Sequence, residues 1–275
     1  MEKSKGDQNK LSFARVIVVL GIIYGDIGTS PIYTLNFIVG DKLITDQLVF
    51  GAISCVFWTL TLITTIKYIY LALNADNRGE GGIFALYALV RRHKAGWVIY
   101  PAMIGCCTLI ADGFITPAIS VSSAIEGIRL IYPQVPTTAI VIVILLSLFV
   151  FQQFGSALVS KTFGPIMAVW FLMLAVLGSA YIVRDPSILM AINPVYAIDL
   201  LTNYPGGFIL LGGVFLCTTG AEALYSDLGQ SGKSTLRLSW SGVKVCLLLN
   251  YFGQGAWLLS HRGESLGDHI PFFSL

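Results

Sequence analysis

Long apolar runs alternate with short polar connectors along this chain. Segments apolar and long enough to cross a bilayer, about 20 residues each, are expected at 13–39, 47–73, 97–131, 137–154, 162–183, 206–228 and 238–260. Several of these seven segments have length to spare for tilting or breaking. Residues 1–12 are polar and lack a cleavable signal pattern, so they read as a cytoplasmic N-terminal tail before a transmembrane domain over 13–275. Two connectors read as folded without spanning. GEGGIFALYALVRRHK, at 79–94, is a glycine-rich turn followed by a short amphipathic run, expected as an interfacial helix. Residues 185–205 hold three prolines and YAIDLLTN, expected as an outer loop with a short helix.

Composition agrees with the pattern. Of 275 residues, 55% are hydrophobic and 12% charged, with a mean hydropathy of +0.77, where a soluble domain carries about 25% charged residues. The fold class expected is an all-α polytopic membrane protein. A net charge of +2 sets nucleic-acid binding aside, and membrane lipid is the expected surrounding. Positive charge is unevenly shared between the two sides. One side would carry Lys3, Lys5, Lys10, Arg15, Arg78, Arg91, Arg92, Lys94, Lys161, Lys233 and Arg237; the other only Lys42, Arg129, Arg184 and Arg262. That asymmetry puts the N-terminus in the cytoplasm. Cys55, Cys106, Cys107, Cys217 and Cys246 lie in apolar segments without metal-ligand spacing and read as packing residues.

Ionisable groups inside spans cost about 2.5–3.5 kcal/mol each on insertion scales, so their positions carry information. Lys67, Asp227 and Lys244 lie within reach of a membrane end and read as snorkelling. Glu126 has Arg129 three residues on, a spacing that allows pairing on the helix surface. Three acids remain near mid-span. Asp26 sits in GDIGTSP, where glycines and Pro31 are expected to unwind the backbone. Asp112 sits in ADGFITP, and Glu222 in CTTGAEALYSDLG, where Gly220 interrupts the sixth segment. Irregular backbone at membrane depth survives only where it is buried in protein or lines a wet cavity.

Breaks in the first and sixth segments mark transporters built from inverted repeats, with the site at the midplane breaks. Three acids with nearby hydroxyls make an oxygen-rich, negative pocket. Such a pocket suits a monovalent cation stripped of water. It also suits a proton, which a desolvated carboxylate holds more readily. GQSGKST at 229–235 lacks the strand and the full spacing of a phosphate loop and is set aside.

The motifs GIIYGDIGTSPIYTL, NRGEGGIFALYALVRR, ADGFITPAISVSSAIEG, KTFGPIM, GGVFLCTTGAEALYSDLG and LLLNYFGQGA follow one another as in the Kup/HAK/KT family of potassium uptake permeases. The sequence resembles that family from about Leu11 onward. The resemblance implies a proton-coupled potassium symporter of the plasma membrane, not an enzyme, with a LeuT-type, amino-acid-permease-like core. It implies potassium ligands at Asp26, Tyr33, Asp112, Thr116, Thr219 and Glu222. It also makes Asp26, Asp112, Glu222 and Glu126 candidates for proton coupling, with K+ and H+ transported and no cofactor. Ala111 stands beside Asp112 where many members have glycine.

Family members carry more spans than the seven expected here, and usually a cytosolic C-terminal domain. The second repeat would then be incomplete, and the chain is expected to be a fragment that does not transport alone. A homodimer would belong to the full-length protein. Three rivals remain: an amino-acid permease on the same scaffold, a channel subunit, and a non-transporting membrane fragment. Three converging acids would repel a substrate carboxylate, and no TVGYG-like filter element is present.

Overall fold

The structure is a computed structural model that describes residues 13–92, 96–152, 156–267 and 269–275. The expected tail at 1–12 lies outside the described residues. Among them, the backbone is helical apart from turns, loops and two isolated bridges, Leu43 with Ser265 and Asn77 with Glu80.

The first apolar run forms α1 (Phe13–Ile23) and α2 (Gly25–Val39), which meet at an angle of 50°. α3 (Asp46–Thr59) begins at Thr45, whose hydroxyl oxygen accepts the Leu48 N–H as an N-cap. It runs directly into a π-helical stretch, Leu60–Leu71. A loop over 74–82 leads to α4 (Ile83–Arg91), then α5 (Ile99–Ile131), α6 (Thr137–Gln152) and α7 (Ser156–Arg184). The proline-rich connector folds as a tight helical turn, Pro186–Ile192, and α8 (Pro194–Asn203). Asp185 and Asn193 cap them, each followed by a proline whose missing N–H costs nothing at a helix start. The sixth run forms α9 (Gly207–Phe215), a turn at Leu216–Thr218, α10 (Ala223–Ser226) and α11 (Leu228–Ser231), before α12 (Lys233–Ser260).

Among the described residues, four helical runs are long and apolar enough to cross a membrane: Asp46–Asn74, Gly96–Ile131, Phe163–Arg184 and Gly207–Ser226. The bent α1–α2 pair makes a fifth. The chain is an all-helical, polytopic membrane protein.

Lipid tails are as apolar as leucine, so close backbone approach rather than hydrophobic expulsion holds such helices together. The α1–α7–α12 core shows this. A Cβ on Gly21 would strike the backbone of Gly164, and one on Gly178 the backbone of Leu249. Gly253 faces Gly178 in the same way. α2 is packed inside this core, whereas α5 buries only Thr116 and Ile125 and packs against α6, α2 and α4.

The loop at 74–82 is tied to the start of α12. Lys233 Nζ lies 2.6 Å from Asp76 Oδ1, and the Gly79 N–H donates to Asp76 Oδ2 at 2.8 Å. The bond from Lys233, then that from Gly79, holds the Asp76 carboxyl below the usual range. Tyr225 donates its hydroxyl to the Ala75 carbonyl at 2.5 Å, and Gly81 packs on the Tyr225 carbonyl.

Candidate functional site

The first bend falls at Tyr24, with φ −96° and ψ 9°. The expected unwinding of GDIGTSP does not occur: α2 is helical through it, with Pro31 in its interior. Side chains add further bonds to the carbonyls of this stretch. The Asp26 carbonyl accepts from Thr29 Oγ1 at 2.8 Å, Gly28 O from Trp170 Nε1 at 2.8 Å, and Pro31 O from Gln254 Nε2 at 2.9 Å. The bend itself is pinned by Tyr24, which is fully buried. Its hydroxyl lies 2.9 Å from Ser239 Oγ and donates to the Leu236 carbonyl, while its ring stacks on Trp240 with centroids 6.4 Å apart. Asp26 therefore sits in the first turn of α2 on a rigid mount. Neither Tyr24 nor its partners on α12 stood out in the sequence, where an aromatic in an apolar run has no distinguishing pattern.

The second break is a true unwinding. After the turn at Leu216–Thr218, Thr219 is extended at φ −55° and ψ 133°, and Gly220 adopts φ +84°. That left-handed geometry suits glycine, and a Cβ there would lie 2.8 Å from Asp26 Oδ2. The two breaks are thus in direct contact, and Glu222, just ahead of α10, is delivered to the same spot.

α5 supplies the third acid without a break. Thr116 Oγ1 donates to Asp112 Oδ1 at 2.7 Å, fixing the carboxylate over one helical turn. Carboxylate oxygens of Asp26, Asp112 and Glu222 all lie within 4.8 Å of one another. Asp26 Oδ1 is buried without a hydrogen-bond partner among the described residues. Two like charges about 4 Å apart repel by roughly 4 kcal/mol at an effective dielectric of about 20. Three such carboxylates therefore call for a cation or a proton between them. Three atoms within 4.8 Å of one another leave a central point no more than about 2.8 Å from each, since 4.8/√3 is 2.8.

Two cavities meet at Asp112. The larger, about 690 Å³, is lined by Thr218, Thr219 and Glu222, by Gly105, Thr108 and Leu109 of α5, and by Lys67 and Tyr68 of the π-helical stretch. The smaller, about 310 Å³, is lined by Asp26, Thr29, Gly113, Thr116 and Ser120. Along α5 the two lie on opposite sides of Asp112, the one residue of this helix that borders both.

Of the residues picked from sequence, Asp26, Asp112 and Glu222 come together, with Thr116 on Asp112 and Thr219 on the larger cavity wall. Tyr33 is buried about two turns along α2 from Asp26, its hydroxyl donating to Ser30 Oγ at 3.4 Å, and it borders neither cavity. Glu126 is an exposed residue 14 positions further along α5 than Asp112, about 21 Å away at 1.5 Å per residue. The structure does not bring it to the cluster.

The K+ potassium transporter integral membrane domain family matches residues 13–275. The probable potassium transport system protein Kup of Flavobacterium psychrophilum is 58% identical over 258 residues, covering 94% of this chain and 39% of that protein. The protein of the same name from Cytophaga hutchinsonii is 53% identical over 278 residues, covering 99% of this chain and 42% of the relative. The chain thus spans about two fifths of the length of the curated relatives it matches. No solved structure matches it. On these matches, the chain belongs to the K+ potassium transporter integral membrane domain family.

Proposed function

We propose that this chain carries the cation site of a potassium uptake protein. The observation that carries the reading is the cluster of Asp26, Asp112 and Glu222, with an unpartnered buried oxygen on Asp26. Membership of a potassium transporter family and the printed names of the relatives support potassium as the ion. Dehydrated potassium lies among the three carboxylates, with the Thr116 and Thr219 hydroxyls beside them and Tyr33 as a further ligand on rearrangement of α2.

Coupling to protons belongs to the same proposal. Interacting carboxylates share their titration, so the proton is a property of the cluster rather than of one acid. Glu126 lies off the cluster and would serve only as a relay on the route to it. The contact between Gly220 and Asp26 supports a LeuT-type arrangement, in which two broken helices meet at the site and an inverted repeat rocks around it. The span boundaries, an N-terminus in the cytoplasm, residence in the plasma membrane and dimerisation of a full-length protein complete the reading. Three converging acids disfavour an amino-acid substrate, whose carboxylate they would repel.

The test is growth of potassium-uptake-deficient cells on low potassium, supported by a full-length relative carrying the matching substitutions. Asp26→Asn and Glu222→Gln are each expected to abolish growth, and potassium pulses are expected to alkalinise the medium. Undiminished uptake in both variants overturns the site, and uptake indifferent to pH overturns the coupling.

A further inference from the structure

We infer that Lys67 is a tethered cation that competes with the transported ion for Glu222 and Asp112, and so sets how tightly the site holds potassium. The inference rests on the reading of the cluster as a cation site.

A lysine in a spanning segment ordinarily extends its ammonium to the membrane surface, and its sequence position alone suggests that here. The winding of the helix gives it another place. Leu60–Leu71 is π-helical, and the Thr65 hydroxyl also donates to the Leu60 carbonyl at 3.1 Å. Such stretches are rare and concentrate at functional sites. The wider turn repeats every four to five residues, so Ile63, Lys67, Tyr68 and Ala72 form one stripe. That stripe lines the larger cavity together with Asp112, Thr219 and Glu222.

The chemistry of this cavity is unbalanced without Lys67. Its other ionisable side chains besides two tyrosines are the two acids. Lys67 makes no ion pair with an acid among the described residues, and its ammonium lies 5.0 Å from the centroid of its neighbour Tyr68. The lysine is exposed, so it has freedom to move within the cavity. An ammonium has the charge of potassium and can offer three donors to carboxylate oxygens. When the site is empty it neutralises the acids, and when potassium binds it must withdraw.

The cavity also has a direction. From Asp112 its α5 wall runs back through Leu109, Thr108 and Gly105 towards the N-terminal end of α5, and Gly82 and Tyr225 line it as well. The smaller cavity, on the other side of Asp112, has no basic lining residue. An ion approaching from the smaller cavity meets only acid; one approaching from the larger must pass a positive charge. Lys67 therefore raises the barrier for a cation passing through the larger cavity in either direction, while its competition for the acids weakens the hold on the bound ion.

The experiment is a potassium titration of this chain in lipid nanodiscs, read by calorimetry, with Lys67→Gln and Lys67→Arg compared to the parent. Lys67→Gln is expected to tighten potassium about tenfold, the scale of one unit charge acting across a partly hydrated cavity. Lys67→Arg, which keeps the charge, is expected to stay within about twofold of the parent. In a Glu222→Gln background the gain from Lys67→Gln should shrink, because one of the competing partners is gone. Equal affinities for the parent and Lys67→Gln, or equal shifts for Gln and Arg, overturn the inference. An Asp26→Asn chain that binds as the parent does overturns instead the reading on which it rests.

Discussion

The two helix breaks that meet at the acid cluster are built differently. The first is a hinge of one residue: Tyr24 leaves helical geometry, and α2 resumes at once on Gly25. Its stability comes from outside the break, through the stacked ring and bonded hydroxyl of Tyr24 on α12. The second break spreads over 216–222, with a tight turn, an extended Thr219 and a left-handed Gly220. Its far side is braced by the 74–82 loop through Tyr225 and the Asp76–Lys233 pair. One break presents Asp26 on a rigid helix. The other presents Glu222 on backbone that only glycine permits, next to a loop that a single ion pair ties to α12.

The sharpest way to break this contrast is to add one methyl group to each. Gly220→Ala forces a left-handed φ of +84° on a side chain and drives its Cβ to 2.8 Å from Asp26 Oδ2. Loss of cation binding and a stability loss of about 2 kcal/mol or more are expected. Gly25→Ala meets nothing within 4 Å on a helical backbone and should change stability by less than about 1 kcal/mol. Melting curves of both variants decide between a demanding second break and two equivalent ones. A smaller effect is expected from Tyr24→Phe. It keeps the stacked ring and removes the hydroxyl bonded to Ser239 and the Leu236 carbonyl, costing about 1 kcal/mol. The hinge should survive, and cation binding should weaken less than in Gly220→Ala.

The brace on the second break is the smallest and pH-dependent term. Asp76 has its carboxyl held below the usual range when folded, so its contribution is full above an unfolded value of about 3.9. It is lost as pH falls through the folded value. The pair is partly open to solvent, with side chains 36% and 26% accessible, which limits it to less than about 1 kcal/mol. Melting temperatures of the parent and Asp76→Asn should therefore separate above about pH 4 and converge below it.

Much of the site was legible in the sequence, because intramembrane acids beside glycines are rare and costly. Asp26, Asp112 and Glu222 stood out on that ground and lie together in the fold. The backbone at Asp26 was harder to read. Glycines and Pro31 suggested unwinding, but α2 stays helical, and Trp170 and Gln254, from distant helices, bond to the Gly28 and Pro31 carbonyls. Tertiary partners of this kind leave no local trace. Lys67 shows a related limit: its distance from a segment end suggests snorkelling, and its place on the lining of the cavity shared by Asp112 and Glu222 emerges only from the fold. Glu126 shares a helix with Asp112, and one-dimensional proximity could not reveal that it stands apart from the cluster.

The central claim is that the three carboxylates form one cation site. Its most direct test is potassium binding by this chain in nanodiscs, with sodium as competitor, before and after Asp26→Asn. The account predicts saturable potassium binding in the parent that is weakened at least tenfold by the substitution. Potassium binding of equal strength in the two proteins would contradict it.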